Sequence, residues 1–293
     1  MNYDKVNGKV GFVDSTHVYE NLDTKKKYTS VTTLIGKYAQ PFDSEFWSAY
    51  KALEKVMGKD FTNIKKELLN QKKFEESSLK SLNISKEDFI NARAQILQEW
   101  KDTNKASTDR GTAIHAKMEN SMYELATNVS LKKYGIGGKF DVSTKYESFL
   151  NTESGIFPEY LIYNDELGLA GQIDLLVKSQ DSITIIDYKT NKSIDLHSYY
   201  NPKTRSHQMM QYPLNTVEDC NYFHYALQLS TYAYMLQKWN PDFNVTMLKL
   251  VHFPHEGGEV YYDVPYLKDE VERMIKHYNK QNSSNNRLKR IQF

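Results

Sequence analysis

The sequence predicts an α/β fold, a central β-sheet flanked by helices with a helical insertion towards the N-terminus. Three observations predict it. Short apolar runs of strand composition cluster over residues 156–189 and return over residues 245–253. Helical spacing dominates from Ser44 to about Trp100 and again over residues 222–238. Finally, Asp174, Asp187 and Lys189 are set among Leu175, Leu176, Val177, Ile183, Ile185 and Ile186, although Asp and Lys are depleted from buried strands and need a use there.

From the N-terminus, residues 9–20 and 25–30 suggest a short hairpin. Ser30-Val-Thr-Thr-Leu-Ile-Gly then reads as a helical turn capped by Ser30 or Thr32. Their hydroxyl groups and the exposed amides could hold a phosphate, and an ordinary capped turn explains the same residues. Trp47, Tyr50, Leu53 and Met57 fall at helical spacing, and Gly58 ends that helix. Further helices are expected over residues 62–74 and, from the capped start Ser85-Lys-Glu-Asp, over residues 85–102. These Lys-rich helices are expected to cover the sheet, their charges forming a solvated face rather than a DNA channel.

Within residues 108–122, His115 and Glu119 stand four apart and so neighbour each other on one helical face. Glu119 could accept the second N–H of a metal-bound His115. Arg110, near the start of the same helix, is placed for a phosphate contact. A lone helical histidine is by default a packing or surface residue, so His115 gains weight only from its companions downstream. Residues 128–139 read as a loop. Its Lys132-Lys-Tyr-Gly-Ile-Gly-Gly-Lys is no P-loop, because the glycine spacing is wrong and Phe140 follows the lysine where Ser or Thr is required. No ATP chemistry is expected. Residues 142–150 suggest a short helix.

Residues 156–163 have strand composition and lead through Asn164-Asp-Glu-Leu-Gly168 into a second strand, which a polar loop from Ser179 to Ser182 joins to a third. With Lys178 paired to Ile183 across that loop, Asp174 falls opposite Asp187. Directly opposed side chains have Cβ atoms roughly 4.5–5.5 Å apart, close enough to ligate one divalent ion. Lys189, two residues on, shares the face of Asp187. With Asn164 paired to Leu169, Glu159 falls opposite Asp174, and three carboxylates line up across neighbouring strands. A metal-dependent phosphodiesterase site would explain charges in so apolar a setting.

Residues 191–220 form a long polar and aromatic connection, and connections of this length are usually functional or mobile. Lys203 and Arg205 within it are candidates for contact with single-stranded nucleic acid; a structural insertion is the alternative. The helix over residues 222–238 carries Gln228 and Tyr232 on one face and stops at Asn240-Pro241. A strand over residues 245–253 pairs across Gly257-Gly258 with residues 258–264, and a helix over residues 266–280 closes the fold. The expected division is residues 1–107 as an N-terminal hairpin and helical cover packed on the core, 108–280 as the core, and 281–293 as a frayed basic tail.

Composition removes several classes. At 293 residues, 40% hydrophobic and 26% charged, the chain has ordinary globular values. No apolar run approaches the ~20 residues of a membrane span, and Met1-Asn-Tyr-Asp-Lys lacks a signal-peptide core, so no membrane partner is expected. The one cysteine, Cys220, excludes an internal disulfide and a four-cysteine zinc or iron–sulfur site, and a reducing cytoplasm is the expected location. A net charge of +1 provides no global basic field, so any nucleic-acid contact must be local. The 22 tyrosines offer stacking for single-stranded bases, although most suit packing at the edge of the core.

The ordered set Arg110-Gly-Thr-Ala-Ile-His115, Glu159, Gly171-Gln-Ile-Asp174, Asp187-Tyr-Lys189 and Gln228-x-x-x-Tyr232 resembles the PD-(D/E)xK nuclease superfamily. Within it the likeness is to the RecB-type and phage exonuclease branch, including relatives of the mitochondrial genome maintenance exonuclease. It spans about residues 108–236, and Tyr28-Thr-Ser-Val-Thr-Thr resembles that branch's N-terminal segment less specifically.

The resemblance implies a restriction-endonuclease-like core with a central mixed β-sheet flanked by helices, plus an N-terminal helical insertion. It implies that Asp174, Asp187, the backbone carbonyl of Tyr188 and His115 hold a divalent metal, with Glu159 joining a second metal or holding its water. Lys189 would orient the attacking water and stabilise charge, Gln228 would position Lys189, and Tyr232 would contact the DNA backbone. An oxygen-rich set favours Mg2+, with Mn2+ able to substitute. Some relatives carry a four-cysteine iron–sulfur cluster, from which this sequence departs with its one cysteine, and no fused helicase is expected. The expected function is a metal-dependent DNA exonuclease acting at DNA ends, on single strands, in phage-type replication, recombination or repair. Its expected setting is a bacterial or phage-infected cytoplasm, with replication or recombination proteins as unidentified partners. The alternatives are a structure-specific endonuclease on the same core and a DNA-binding subunit without turnover.

Overall fold

The computed structural model describes residues 3–143 and 149–291, with side chains described up to residue 283. In chain order its elements are β1 (Lys5–Asn7), β2 (Val10–Val13), β3 (Val18–Asn21), β4 (Lys27–Ser30), α1 (Val31–Gly36), α2 (Ser44–Met57), α3 (Thr62–Gln71), α4 (Lys86–Leu125), β5 (Val129–Ser130), β6 (Lys139–Phe140), β7 (Ser154–Asn164), β8 (Leu169–Ser179), β9 (Ser182–Lys189), β10 (Tyr200–Asn201), β11 (Ser206–His207), α5 (Asn221–Trp239), β12 (Asn244–His252), β13 (Val260–Asp263) and α6 (Lys268–Ile291). Two units share them: residues 1–40 with 111–293, and residues 41–110.

The smaller unit is helical. Asp43 caps α2 by accepting the Phe46 N–H at 2.9 Å, and Gly58, at φ 56°, ends it as expected. Its core gathers Phe46, Tyr50, Leu53, Phe61, Leu79 and Phe89. The helices expected separately over residues 85–102 and from residue 108 onward are one helix, α4. The stretch between them is poor in helix formers, but it contains no proline, and its hydroxyls bond back onto the helix itself. Thr103 Oγ1 donates to Glu99 O at 2.8 Å and Thr108 Oγ1 to Asn104 O at 3.0 Å, while Lys105 pairs with Asp109 at 2.6 Å.

The larger unit is built on a nine-stranded mixed sheet among the described residues, ordered β1-β2-β3-β4-β8-β9-β12-β13 with β7 paired to β8. The N-terminal strands therefore belong to this sheet and not with the helical segment, which differs from the division expected at residue 107. Alternating Val10, Phe12, Tyr19 and Tyr28 bury one face of these strands against Leu161 and Ala170. The central strands are covered on both faces, which explains their near-continuous apolar runs. Residues from α1, α5 and α6 pack with Leu176, Ile183, Ile185, Leu248 and Leu250. Met118 and Met122 of α4 pack on the other face with Leu175, Val177, Ile186 and Tyr188. Each such Leu or Ile contributes on the order of 1.5–3 kcal/mol by burial.

Both strand registers follow the expected pairing: Lys178 lies opposite Ile183, and Asn164 opposite Leu169. The second turn is tighter than expected. Ser179 pairs with Ser182, leaving Gln180-Asp181 as the loop, with Gln180 at φ 53°. From β9 the chain passes through α5 to β12, which lies parallel to β9 with Leu250 opposite Asp187. The Gly257-Gly258 hairpin forms as expected. The expected loop over residues 128–139 contains the β5–β6 pairing, and α6 runs beyond Lys280 to Ile291 where a frayed tail was expected. The expected helix over residues 142–150 falls largely on residues outside those described. Among the described residues no helix is long and apolar enough to cross a membrane.

Candidate active site

The sheet forks at β8. One edge of β8 pairs along its length with β7. The other edge is shared, parallel to β4 at Leu169 and Ala170 and antiparallel to β9 from Leu175 onward. Between these two pairings, residues 171–174 have no ladder partner on that edge among the described residues. At the same level the β7 ladder skips from Tyr160–Ile173 to Pro158–Leu175, so Glu159 and Asp174 both stand where backbone pairing is interrupted. Glu159 adopts φ 48°, in the left-handed region that costs a non-glycine residue about 1–3 kcal/mol. Asp174 Oδ2 accepts the Tyr188 N–H at 2.6 Å, replacing a ladder carbonyl. Gly171 completes the gap. A Cβ there would lie 2.5 Å from Cε1 of Tyr232, so only glycine lets α5 approach this closely.

Asp187 and Lys189 continue the parity of Ile183 and Ile185, the face that α5 covers. On α5, Tyr225, Gln228 and Tyr232 are spaced three and four apart and present one face to them. Gln228 Nε2 donates to Asp187 Oδ1 at 3.2 Å, and Gln228 Oε1 accepts from Lys189 Nζ at 3.4 Å. Lys189 Nζ stands 2.6 Å from Asp187 Oδ2 and 4.4 Å from the centre of the Tyr225 ring. From α4, His115 sets Nε2 3.1 Å from the Tyr188 carbonyl oxygen. Its Nδ1 lies 3.4 Å from Asp174 Oδ1 and 3.5 Å from Glu159 Oε1. Lys5 lies 3.3 Å from Glu159 Oε2, which also accepts from Gln172 Nε2.

Burial and charge act against each other throughout this cluster. Burial opposes a charge on His115, but the adjacent carboxylates, Asp174 foremost, outweigh it and push its pKa up to about 11. Burial likewise opposes ionisation of Asp174, where His115, Lys189 and the Tyr188 N–H prevail and hold the carboxyl below its usual range. At Asp187 burial prevails over Lys189 and raises the carboxyl to about 6. Burial also raises Glu159, against His115 and Lys5. Burial opposes the charge on Lys189, but Asp187 and Asp174 outweigh it and raise its pKa.

A protonated imidazole wedged between two carboxylates occupies a position that suits a divalent cation. The ligand atoms of His115, Glu159 and Asp174 all lie within 4.8 Å of one another. Asp187 Oδ2 is buried without a hydrogen bond, its Lys189 neighbour being close but poorly directed. An oxygen-rich set with one imidazole suits a hard divalent ion, so the residues present fit the group.

A family model described as the PD-(D/E)XK nuclease superfamily matches residues 77–292. The chain belongs to that superfamily. None of the curated proteins compared with it matches. Membership makes the chain a metal-dependent nuclease in class, with DNA as the implied substrate and a divalent ion, typically Mg2+, as cofactor. The mixed sheet flanked by helices is the restriction-endonuclease-like core that such nucleases share.

The structure brings together His115, Glu159, Asp174, Asp187, Lys189, Gln228 and the Tyr188 carbonyl. Ser30, Thr32, Glu119 and Tyr232 line the same cavity, of about 470 Å³. Ser30 is the cap, its Oγ accepting the Thr33 N–H at 3.1 Å. Glu119 does not take the second N–H of His115, because both ring nitrogens face the sheet; it lies 3.8 Å from Lys5 instead. Tyr232, expected at the DNA backbone, is 3% exposed with its hydroxyl 3.3 Å from Gln228 Nε2. Lys203 and Arg205 lie in the β10–β11 hairpin and off the cavity wall, and Arg110 ends the smaller unit on α4. A larger recess of about 1110 Å³, between α6 and residues 212–216, contains none of these groups. Sequence reasoning missed Lys5, Gln172 and Tyr225. Lys5 has no local signal, Gln172 sits inside the Gly171–Asp174 motif, and Tyr225 is one helical turn before Gln228.

Proposed function

We propose that the protein is an exonuclease that removes nucleotides from the ends of single-stranded DNA, using Mg2+ with Mn2+ able to replace it. One observation carries this reading. The reactive groups line a recess of about 470 Å³, walled on one side by Lys5, Phe12 and Tyr19 of the N-terminal strands. That is the scale of a small-ligand pocket. It suits the terminal nucleotides of one strand better than an intact duplex.

In this reading Asp174, Asp187, His115 and the Tyr188 carbonyl hold the ion, and Glu159 joins a second ion or holds a water. The bound ion supplies Lewis acidity to the scissile phosphate and makes water a better nucleophile. Lys189 directs an N–H at the attacking water and at the phosphate oxygen on which negative charge grows. Gln228 keeps Lys189 and Asp187 in register, and Tyr232 backs Gln228 more than it reaches the DNA. Lys5 offsets the charge of Glu159. Arg110, Ser30, Thr32, Lys203 and Arg205 are the DNA contacts. The likeness of the ordered motifs to RecB-type and phage exonucleases supports a role in phage-type replication, recombination or repair.

Linear single-stranded DNA labelled at each end in turn, beside a covalently closed single-stranded circle, tests the reading in Mg2+. Labelled mononucleotides or short products should leave the linear substrates while the circle survives. Efficient cutting of the circle would sink the exonuclease account.

A further inference from the structure

β9 and α5, which carry Lys189 and Gln228, are joined by residues 190–220, which contain only the short β10–β11 hairpin as regular structure. Few apolar side chains anchor this segment; Met210, Leu214 and Val217 are buried, while Leu196, Tyr199, Tyr200 and Tyr212 are exposed. Polar contacts supplement these anchors, and one group of them meets at Glu218. His197 precedes the hairpin, His207 ends it, and Glu218 returns beside both through the Met209–Glu218 bridge. His197 Nδ1 lies 3.2 Å from Glu218 Oε1, and His207 Nδ1 lies 3.4 Å from Glu218 Oε2 and 3.0 Å from the Ser198 carbonyl oxygen, a contact that ligation through Nδ1 would replace. The two imidazole rings are 5.3 Å apart, and one ligand atom from each of the three residues lies within 4.8 Å of the others. Glu218 is pre-aimed by the Ser198 N–H, which it accepts at 2.8 Å.

These separations have a chemical meaning. Metal–ligand bonds of about 2.0–2.1 Å in a tetrahedral zinc site place neighbouring donor atoms roughly 3.3 Å apart. Two imidazoles and a carboxylate form a borderline donor set that suits Zn2+ far better than Mg2+. The exposed flank of the cluster leaves a fourth position to water. We infer that His197, His207 and Glu218 form a second metal site that takes a Zn2+-class ion and clips the β9–α5 connection into one arrangement. A clip between His197 and Glu218 closes a long loop, the case in which a cross-link restrains an unfolded chain most. It also fixes the hairpin carrying Lys203 and Arg205. The site is separate from the His115–Glu159–Asp174 cluster and does not depend on the reaction proposed above.

The test counts zinc on the full chain after chelator treatment and dialysis against Zn2+, by mass spectrometry of the metal. His115→Ala with Asp174→Asn disables the nuclease cluster, and about one Zn2+ per chain should remain. Adding His197→Ala should abolish that ion or weaken its affinity at least roughly 10–100-fold, the loss already typical of outer-shell changes. The His197 side chain is 71% exposed, so its removal leaves the fold intact. In the otherwise wild-type chain, His197→Ala should lower the zinc count by one, which covers failure of the double variant to fold. Zn2+ should also slow proteolysis within residues 191–219, and Mg2+ should not. Zinc binding unchanged by His197→Ala in both settings, or equal protection by Mg2+, overturns the assignment.

Discussion

Gln228→Met replaces an amide with an apolar chain of similar length, so packing is largely kept while both site hydrogen bonds go. The amide donates to Asp187 Oδ1 and accepts from Lys189 Nζ, and it is 8% exposed. A hydrogen bond to a charged group is worth about 1.5–3 kcal/mol, and 1.36 kcal/mol corresponds to one pKa unit. Losing a donor to the ionised carboxylate disfavours the charged form, so the Asp187 carboxyl rises. From about 6 in the intact protein, it should move up by about 1–2 pH units. Because the ion needs the carboxylate, the acid limb of kcat/KM should move the same way. The assay is a pH profile of DNA cleavage at a Mg2+ concentration well below saturation, where the free site titrates. Purely structural damage would lower the whole profile without moving its limb. An unmoved limb with wild-type turnover would refute the argument that Gln228 acts through Asp187.

Three further outcomes are expected. Lys189→Met should cut cleavage by roughly 100–1,000-fold, as loss of one charge-stabilising donor does elsewhere, while Mn2+ binding persists; wild-type turnover would remove Lys189 from the mechanism. Gly171→Ala should cost about 1–3 kcal/mol in denaturant titrations, because its Cβ meets Tyr232 Cε1 at 2.5 Å, and adding Tyr232→Leu should restore part of it. Equal stability of Gly171→Ala and wild type would contradict the close approach. Binding of Mn2+ at pH 8 should release about one proton, since His115, with its pKa near 11, must give up its charge to ligate. Calorimetry in buffers of different ionisation enthalpy reads that proton, and His115→Ala should abolish its release. The same raised pKa stabilises the metal-free fold fully below the unfolded value of about 6.5, and that contribution declines as pH rises through about 11.

The legible part of the site was the part that obeys strand parity. Asp174, Asp187 and Lys189 fall on one face once Lys178 is paired with Ile183, and the β7–β8 turn fixes Glu159 in the same way. Gln228 and Tyr232 were legible because helical spacing sets them on one face of α5. What parity does not encode is which strands meet at a distance. Nothing in Lys5-Val-Asn predicts that β1 delivers a cation to Glu159, 154 residues away. The length of α4 is hidden for a related reason: Thr103, Ser107 and Thr108 lower local propensity, and the back-bonding of Thr103 and Thr108 onto α4 is visible only in three dimensions. The role expected of Glu119 failed because i,i+4 adjacency says which side chains can meet, not where the imidazole turns when a sheet edge offers it Tyr188 O, Asp174 and Glu159.

The fork at β8 shows why charge could be placed in this sheet at all. An Asp in a continuous central ladder would be buried without enough donors, at a cost of several kcal/mol. Here the ladder itself yields at Asp174 and Glu159, and the Tyr188 N–H freed by the interruption becomes the donor that Asp174 needs. Asp187 gains Gln228 from the helix that Gly171 lets in, and Lys189 stays charged against Asp187. Each departure from regular pairing therefore supplies the partner of a neighbouring charge. Two imbalances are left: the left-handed backbone of Glu159, and the His115 proton held between two carboxylates. A divalent ion coordinated by these carboxylates would replace that proton with stronger charge at the same point, so metal affinity and fold stability would be linked through the same few residues.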